Sequence, residues 1–319
     1  MVLDVCICTH NPRRDIFAIV LRAIANQTLA KNAYKVWVID NCSNPALTEA
    51  DLLPLKNAGV DYKIVVEPQL GNLHARRRAI EETSGELLVF VDDDNELTHT
   101  YLETAVNIAN DNPSLGCFGG KLLLAPTLSC PSWIMPLLPY LAVRDYGDGI
   151  ITNLSNSWGE WEPPTAGAGV RRQVLKRYLE RLNEIPEALK LGRRGRSGLL
   201  SCEDSLMMRG AFDLGLECSY QPSLVLLHHL NPNRFKLPYL IKLMYSYGRS
   251  HVILERTLGH SFPSVSLKEA GKIMIENIKT RDIKNVVHLI GLLAWDLGYF
   301  REVRRTPEAS VSFSQAVAR

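Results

Sequence analysis

Three consecutive carboxylates, Asp92, Asp93 and Asp94, follow the apolar run LLVFV. Like charges at the end of a buried strand repel one another and destabilise the fold unless a cation neutralises them. Carboxylate oxygens suit Mg²⁺ or Mn²⁺, and such an ion can bridge two phosphates and take up charge on a departing diphosphate. A solvated acidic turn that caps the next helix is the alternative. The position of the acids behind an apolar strand favours a metal site.

A second acid pair, Glu203 and Asp204, opens the segment EDSLMM much later in the chain. An Asp held near an acceptor hydroxyl can act as a general base, which contributes roughly 10²–10⁴-fold to a rate. The same acids can cap the helix that follows, and the two roles are compatible. His228 and His229 end a strand-like run, so alternation points them to opposite faces and at most one reaches a site.

Weaker signals lie at the ends of two earlier apolar runs. Thr9 and Asn11 stand just before Pro12 and two arginines, a layout that holds a nucleotide at a helix N-terminus or simply starts a helix. Asp40 ends the next run and can accept hydrogen bonds from a base or ribose, or else form an Asx turn with Asn41.

Two glycine-containing segments complete the polar set. Gly71 precedes a helix with three consecutive arginines that project in different directions, so one of them can face phosphate or sugar while the others are solvated. Gly167 and Gly169 permit close approach of the backbone to a ligand, or form a plain loop.

The first third of the chain alternates short apolar runs with amphipathic segments, as β-α-β units around a largely parallel sheet do. We predict strands at residues 2–9, 34–40, 62–67 and 87–94, with helices over 15–27 and 73–83. In open α/β sheets ligands bind beyond the carboxyl ends of the strands. The polar residues at those ends therefore converge on one crevice.

The rest of the chain is predicted less regularly. Residues 113–164 are rich in proline and scattered aromatics, which is typical of substrate loops. A helix over 171–182 and a strand over 220–230 follow, and residues 237–305 form two or three amphipathic helices. Their most apolar stretch, residues 286–300, is shorter than the ~20 residues of a spanning helix and predicts a buried or membrane-surface helix.

Composition narrows the class of protein. The chain has 319 residues, 46% hydrophobic and 22% charged, as in ordinary globular proteins. A net charge of +2 gives no long-range field for a nucleic-acid partner, and seven cysteines without a C-x-x-C pair favour a reducing compartment. The N-terminus lacks a signal-peptide pattern, so we expect a cytoplasmic protein, with a peripheral position at the inner face of the membrane as the alternative.

Seven segments in register over residues 2–234 resemble the large inverting glycosyltransferase family 2 with the GT-A fold, which builds bacterial polysaccharides and glycolipids. They are CTHNPRR, VIDNCS, GNLHARRRAI, VFVDDDNEL, GAGVRR, CEDSLMMRGAFDLGLECSYQP and LHHLNPNR. The resemblance implies an α/β fold, a Rossmann-like sheet with helices on both faces, plus a C-terminal helical extension. We expect a catalytic domain over 1–235, with a nucleotide-binding half to 112 and an acceptor half from 113, then the extension over 236–305 and a tail over 306–319.

The resemblance implies transfer of a sugar from a nucleotide diphosphate sugar, a UDP-sugar above all, to a hydroxyl of a glycan or glycolipid with Mn²⁺ or Mg²⁺. Asp204 is the expected catalytic base, and Asp92, Asp94 and His229 are the expected metal ligands. The nucleotide-sugar site comprises Thr9, Asn11, Asp40, Asn41, Arg76, Asp92 and Asp93. The loop for sugar and acceptor comprises Trp133, Gly167, Ala168, Gly169 and Glu203.

Three alternatives stay open at this point. The helices over 237–305 mix apolar and basic residues, as the helices of membrane-surface transferases that act on lipids do. Helices that pack on the catalytic domain, or that form a homodimer contact, have the same pattern of apolar residues along one face. A catalytically silent scaffold that binds a sugar nucleotide would share the fold. A nucleotidyltransferase is disfavoured because THNPRRD lacks the glycine of a phosphate loop.

Overall fold

The computed structural model describes residues 2–195 and 198–305; the predicted tail over 306–319 lies outside them. In this part of the chain nine strands join into one sheet with the order β3-β2-β1-β4-β8-β6-β9-β5, and β7 pairs with β9. The strands are β1 Leu3–Thr9, β2 Tyr34–Asp40, β3 Asp61–Val66, β4 Leu87–Asp92, β5 Asn95–Leu97, β6 Leu115–Leu124, β7 Ile151–Asn153, β8 Gly169–Arg171 and β9 Glu217–His228.

The helices of the described residues flank this sheet and continue beyond it. They are α1 Arg14–Ala25, α2 Leu53–Asn57, α3 Asn72–Glu82, α4 Tyr101–Asp111, α5 Arg172–Glu184, α6 Glu203–Asp213, α7 Leu237–Thr257, α8 Leu267–Thr280 and α9 Val286–Val303. Short 3-10 helices occupy Lys31–Ala33, Glu49–Leu52, Ser132–Leu141, Pro186–Lys190 and Pro232–Phe235.

The strands of the first third are parallel, as predicted. β1 lies between β2 and β4, with Thr9 opposite Asp40 and Cys8 opposite Asp92, so the polar carboxyl ends meet at one edge. The second half of the sheet is mixed. β8 runs antiparallel to both β4 and β6, whereas β9 is parallel to β6 and antiparallel to β5.

Helices cover both faces of the sheet, which confirms the predicted α/β class. Buried side chains of α1, α2 and α4 pack on one face, with Phe17, Leu55 and Leu102 among them. Buried side chains of α3, α5 and α6 pack on the other face, with Ile80 and Leu175 among them. The burial of β4 from both sides explains its continuous apolar run.

The prediction of loops over residues 113–164 is partly wrong. β6 runs through the start of this region, and the proline-rich segment forms the 3-10 helix Ser132–Leu141. Its buried Ile134, Leu137 and Leu141 belong to a third core together with residues of α7 and α9. Short 3-10 turns tolerate proline where a long α-helix does not, so the prolines did not mark a loop.

The C-terminal region contains three helices, within the predicted two or three. α7 and α9 approach very closely, because an added Cβ at Gly248 would collide with the Trp295 carbonyl oxygen and one at Gly298 with that of Tyr245. The apolar stretch over 286–300 is thus α9, buried on one side. No helix among the described residues is long and apolar enough to cross a membrane.

Candidate functional site

The carboxyl end of β4 carries the acid cluster, which we define as Asp92, Asp93 and Asp94. Asp92 is the last residue of β4, and the next two residues form the turn into β5. The hydroxyl of Thr9, at the end of β1, donates a hydrogen bond to the Asp93 carboxylate. Nε2 of His228 lies 3.3 Å from one oxygen of Asp94, so neighbouring strands place a hydroxyl and an imidazole around the acids.

Burial and nearby cations set unequal protonation states within the acid cluster. Burial raises the pKa of Asp92, and burial with the negative charge of Asp94 raises the pKa of Asp93 to about 7. Burial also disfavours the charge on Asp94, but His228, Arg234 and Arg13 together lower its pKa. Asp94 is therefore the member of the cluster that is held as a carboxylate.

The two histidines at the end of β9 point to opposite sides, as predicted, but the one we assigned to the metal is turned away. Nε2 of His229 lies 2.7 Å from a Glu96 carboxylate oxygen, and only its backbone N–H reaches the Asp94 carbonyl, at 2.8 Å. The pairing of Asn95 with His228 across β5 and β9 turns the His228 ring toward the acids. His228 therefore replaces His229 as the candidate ligand.

The donor atoms beside Asp94 fit a divalent cation. His228 Nδ1 lies 3.0 Å from the Ala142 carbonyl oxygen, which orients the ring, and buried Nε2 faces Asp94 without a well-formed hydrogen bond. With the carboxylates of Asp92 and Asp94 it offers two oxygen ligands and one nitrogen ligand, which suit Mn²⁺ or Mg²⁺. Within the described ranges no group of three or more His, Cys, Asp or Glu residues is arranged to hold a metal ion, so it is the chemistry of these donor atoms, and not their present arrangement, that fits the cation.

The second acid pair opens α6, and its two members differ. Cys202, just before the helix, has φ 67°, a left-handed conformation that is uncommon for non-glycine residues. Glu203 is buried and forms an ion pair with Arg76 of α3. Asp204 is half-buried, and one of its oxygens accepts a 2.9 Å hydrogen bond from the Ser205 N–H.

Arg76 lies between the two acid groups. Burial disfavours its charge, but Glu203, Asp92 and Asp204 outweigh burial and raise the pKa of Arg76 above its ordinary value. Of the three consecutive arginines, Arg76 is the buried one. The Arg76 guanidinium binds Glu203 in this structure.

Asp40 and Asn41 shape the wall of the crevice with their side chains. The two Asp40 oxygens accept hydrogen bonds from the N–H groups of Ser43 and Leu47, at 3.1 and 2.8 Å. The Asn41 amide donates to the Gln69 carbonyl at 2.7 Å and accepts from the Gly71 N–H at 2.7 Å. The structure thus shows the turn that we had given as the alternative role of Asp40.

Asn11 and the glycine loop lie at the same edge of the sheet. Asn11 has φ 53°, and its side-chain oxygen accepts a 2.7 Å hydrogen bond from Asn44 N–H, which joins the ends of β1 and β2. Gly167 N–H donates to the Phe90 carbonyl of β4 at 2.9 Å. A Cβ at Gly167 would lie 2.5 Å from the Tyr101 hydroxyl oxygen, so the loop passes too close for a side chain.

Trp133 lies away from this loop. It is in the 3-10 helix Ser132–Leu141, and its carbonyl oxygen accepts a 3.0 Å hydrogen bond from the side chain of Asn285, at the start of α9. The structure therefore groups Trp133 with the C-terminal helices, and not with Gly167, Ala168 and Gly169.

Sequence reasoning missed a buried ion pair behind Asp204. Nε of Arg209 donates to a Glu162 carboxylate oxygen at 2.9 Å, and both residues are almost fully buried. Burial raises the pKa of Glu162 to about 7 although Arg209 favours its charge, and Asp204 adds to the rise. The one sequence signal for this pair is the position of Arg209 in the EDSLMMR segment. Glu162 lies in a stretch without helical or strand periodicity, so the sequence did not indicate it.

Three further arginines were not assigned to the site. Arg13 donates to the His229 carbonyl oxygen, and Nη2 of Arg234 lies 4.0 Å from Asp94. Burial disfavours the charge on Arg193, but Tyr239, Tyr247, Glu203 and Asp92 raise its pKa. The Arg193 guanidinium therefore also faces the acids. These cations give the acidic crevice a positive rim on which a diphosphate can bind.

Residues 4–122 match the sequence profile described as Glycosyl transferase family 2. Over this segment, about a third of its length, the chain is similar to that family of glycosyltransferases. Over 88 residues it is 34% identical to glycosyltransferase AglE of Haloferax volcanii, a match that covers 27% of this chain and 29% of AglE. The chain thus spans less than a third of the length of this curated relative.

Similar solved structures confirm the predicted GT-A-like fold of this chain. TarS 1–349 of S. aureus aligns with a TM-score of 0.52 and 17% identity over 95% of this chain and 90% of TarS 1–349. The same fragment in complex with UDP gives a TM-score of 0.50 and 18% identity. The mannosyltransferase PcManGT from Pyrobaculum calidifontis, in complex with GDP-Man and Mn²⁺, aligns with a TM-score of 0.53 and 15% identity. The alignment covers 94% of this chain and 86% of PcManGT.

Proposed function

We propose that this protein transfers a sugar from a nucleoside diphosphate sugar, a UDP-sugar above all, to a hydroxyl of a glycan or glycolipid, with inversion at the anomeric carbon. The observation that carries the proposal is the placement of Arg76 between the β4 acid cluster and the acid pair of α6. We infer that the β4 acid cluster, as the donor site, and Asp204, as the base for the acceptor, lie next to each other on either side of Arg76. TarS with UDP and PcManGT with GDP-Man and Mn²⁺ support a nucleotide-sugar donor.

On the donor side the diphosphate binds at the carboxyl ends of β1 and β4. Asp92, Asp94 and His228 would hold Mn²⁺ or Mg²⁺, and the ion would supply positive charge to stabilise the leaving diphosphate. Arg13 and Arg234 lie beside Asp94 and attract the same phosphates. Thr9 keeps Asp93 oriented through its hydrogen bond.

On the acceptor side Asp204 takes the proton from the attacking hydroxyl. The acceptor oxygen forms a bond to the anomeric carbon while the bond from that carbon to the diphosphate oxygen breaks, and the configuration inverts. Ser205 N–H holds one Asp204 oxygen, so the other oxygen is directed to the acceptor. A base in hydrogen-bond reach of the reacting hydroxyl contributes roughly 10²–10⁴-fold.

The chain divides by role along the same lines. We assign residues 1–235 to the catalytic domain, with the donor-binding half to residue 112 and the acceptor half from 113, and residues 236–305 to a helical extension. α7 belongs to both parts in space, because its Ile253 and Leu254 pack in the core of α3, α5 and α6.

Release of nucleoside diphosphate from a panel of UDP- and GDP-sugars, with and without Mn²⁺, tests the proposal. Asp94→Ala is the site variant, and Asp111→Ala, exposed at the end of α4, is the matched control. We expect metal-dependent release from one donor that Asp94→Ala abolishes and Asp111→Ala retains. Donor binding without release, with glycan and lipid acceptors present, would instead indicate a silent scaffold and contradict the proposal.

A further inference from the structure

Helix α8 is largely outside the core of the protein. It begins with a capping box between Ser266 and Glu269, so its start is well defined. Of its 14 residues, Ala270 is the buried one. Near its C-terminal end, Arg281 and Asn277 contact the buried Asp296 of α9, which anchors the helix. Gly271, Met274 and Asn277 are partly buried, and the other residues of α8 are exposed.

The outward side of α8 carries a stripe of large apolar side chains, which we call the α8 stripe: Leu267, Ile275 and Ile278. Leu267 is 72% exposed and Ile275 is 58% exposed. The helical repeat places the three residues within an arc of roughly 80°. A monomer that leaves such a stripe uncovered loses stabilisation that its burial would provide, so the stripe indicates a contact surface.

Positive charges border the α8 stripe on its solvent flank. Lys268, Lys272 and Lys279 lie side by side there, and Glu269 and Glu276 lie beyond them, farther from the stripe. Lys279 forms an ion pair with Glu276 at 3.0 Å. Lys268 and Lys272 make no ion pair with any residue that the structure describes.

A second exposed apolar group lies at the start of α9. The hydrogen bond between Asn285 and the Trp133 carbonyl brings the 3-10 helix Ser132–Leu141 to this end. Met135 is 60% exposed and Val286 is 68% exposed, and Trp133 is partly exposed. Tryptophan and apolar residues next to a lysine, here Lys284, are typical of the region where a protein contacts lipid headgroups.

We propose that α8 and the start of α9 dock on the surface of an anionic lipid bilayer. The α8 stripe and Met135 enter the boundary between headgroups and acyl chains, and the flanking lysines bind lipid phosphates. Charge complementarity selects this partner, because a second copy of the chain would present the same lysines. The inference does not depend on the donor or acceptor and would hold for a protein without transferase activity.

Flotation with vesicles tests this surface with the full-length chain. Vesicles of phosphatidylcholine alone are compared with vesicles that also contain phosphatidylglycerol. We expect binding to the anionic vesicles that weakens as salt is raised. Absence of binding to the anionic vesicles, or equal binding to both kinds, would overturn the proposal.

Two triple variants separate the apolar and electrostatic contributions. Leu267→Gln/Ile275→Gln/Ile278→Gln and Lys268→Gln/Lys272→Gln/Lys279→Gln should each weaken vesicle binding about tenfold or more. The matched controls change residues elsewhere on the surface: Leu53→Gln/Val66→Gln/Leu214→Gln, and Arg22→Gln/Lys56→Gln/Lys176→Gln.

The controls should bind vesicles as the unmodified chain does, and circular dichroism melts establish that all four variants fold. Equal losses in the variants and their matched controls would overturn the proposal. So would a dimer, measured by light scattering, that the apolar triple variant converts to monomer while vesicle binding persists, because the surface would then join two copies.

Discussion

Arg76 and Glu203 form a buried ion pair across 127 residues of sequence, joining α3 to the first turn of α6. The ion pair therefore connects two helices that are far apart in sequence. Glu203 precedes Asp204 directly, so the pair fixes the start of α6 against the donor side of the site. The distance between the β4 acids and the proposed base therefore depends on this pair.

Removal of one partner of the pair should destabilise the fold. We expect Arg76→Met to lower the free energy of unfolding by about 3–5 kcal/mol, because it leaves the Glu203 charge buried and unpaired. Arg76→Met/Glu203→Leu should recover most of that loss. Urea unfolding measures both. Arg77→Met, which breaks the exposed pair with Glu81 on the same helix, should cost about 1 kcal/mol or less. Equal losses for Arg76→Met and Arg77→Met would contradict the structural role.

Asp204→Asn should reduce turnover by roughly 10²–10⁴-fold while donor affinity stays the same, because the amide cannot take a proton from the acceptor. Steady-state kinetics and calorimetry with the donor measure the two quantities. Asp111→Asn is the control for loss of one surface carboxylate. Normal turnover in Asp204→Asn would remove this residue from the chemistry.

The two adjacent histidines provide a variant and a matched control that test the proposed metal site. His228→Gln should weaken binding of Mn²⁺ in the presence of UDP about 10–100-fold, as loss of an imidazole at or near a metal does. His229→Gln should change it much less, because that ring faces Glu96. Calorimetric titration with Mn²⁺ distinguishes them. A larger effect at His229 would restore the ligand that we first expected from the sequence.

Stability should depend on pH through Glu162. Burial raises the pKa of this carboxyl to about 7, so the folded chain keeps a proton that the unfolded chain has lost above pH ~4.5. That contribution is complete below pH ~4.5 and is lost as pH rises through about 7. The Tm of the unmodified chain should therefore fall relative to that of Glu162→Gln over this interval. Glu180→Gln, exposed on α5, is the control. A constant difference between the chain and Glu162→Gln would exclude this linkage.

The parallel strands and the acid cluster were predictable because their signals are local. The run LLVFV marks a strand buried on both faces, and the acids follow it directly in sequence. α4 was not predicted, although its Tyr101 fixes the Gly167 loop.

The orientation of single side chains was not predictable, because it depends on partners far away in sequence. Alternation alone could say that His228 and His229 diverge, but the register of β9 against β5 decides which one meets Asp94. In the same way Asp40 ends its strand as predicted, yet the backbone N–H of Leu47 takes up one of its oxygens. Register and loop closure are properties of the whole fold.

The order of strands in the sheet determines where the chain can be divided into two parts. β8 separates β4 from β6 in the sheet, although it comes from residues 169–171, well after β6 in the chain. A fragment cut at residue 122 would expose the apolar edge of β4, which invites aggregation. Recombination at that point would succeed only if the incoming half supplied a strand equivalent to β8. The two halves are therefore expected to fold and to be expressed as one unit.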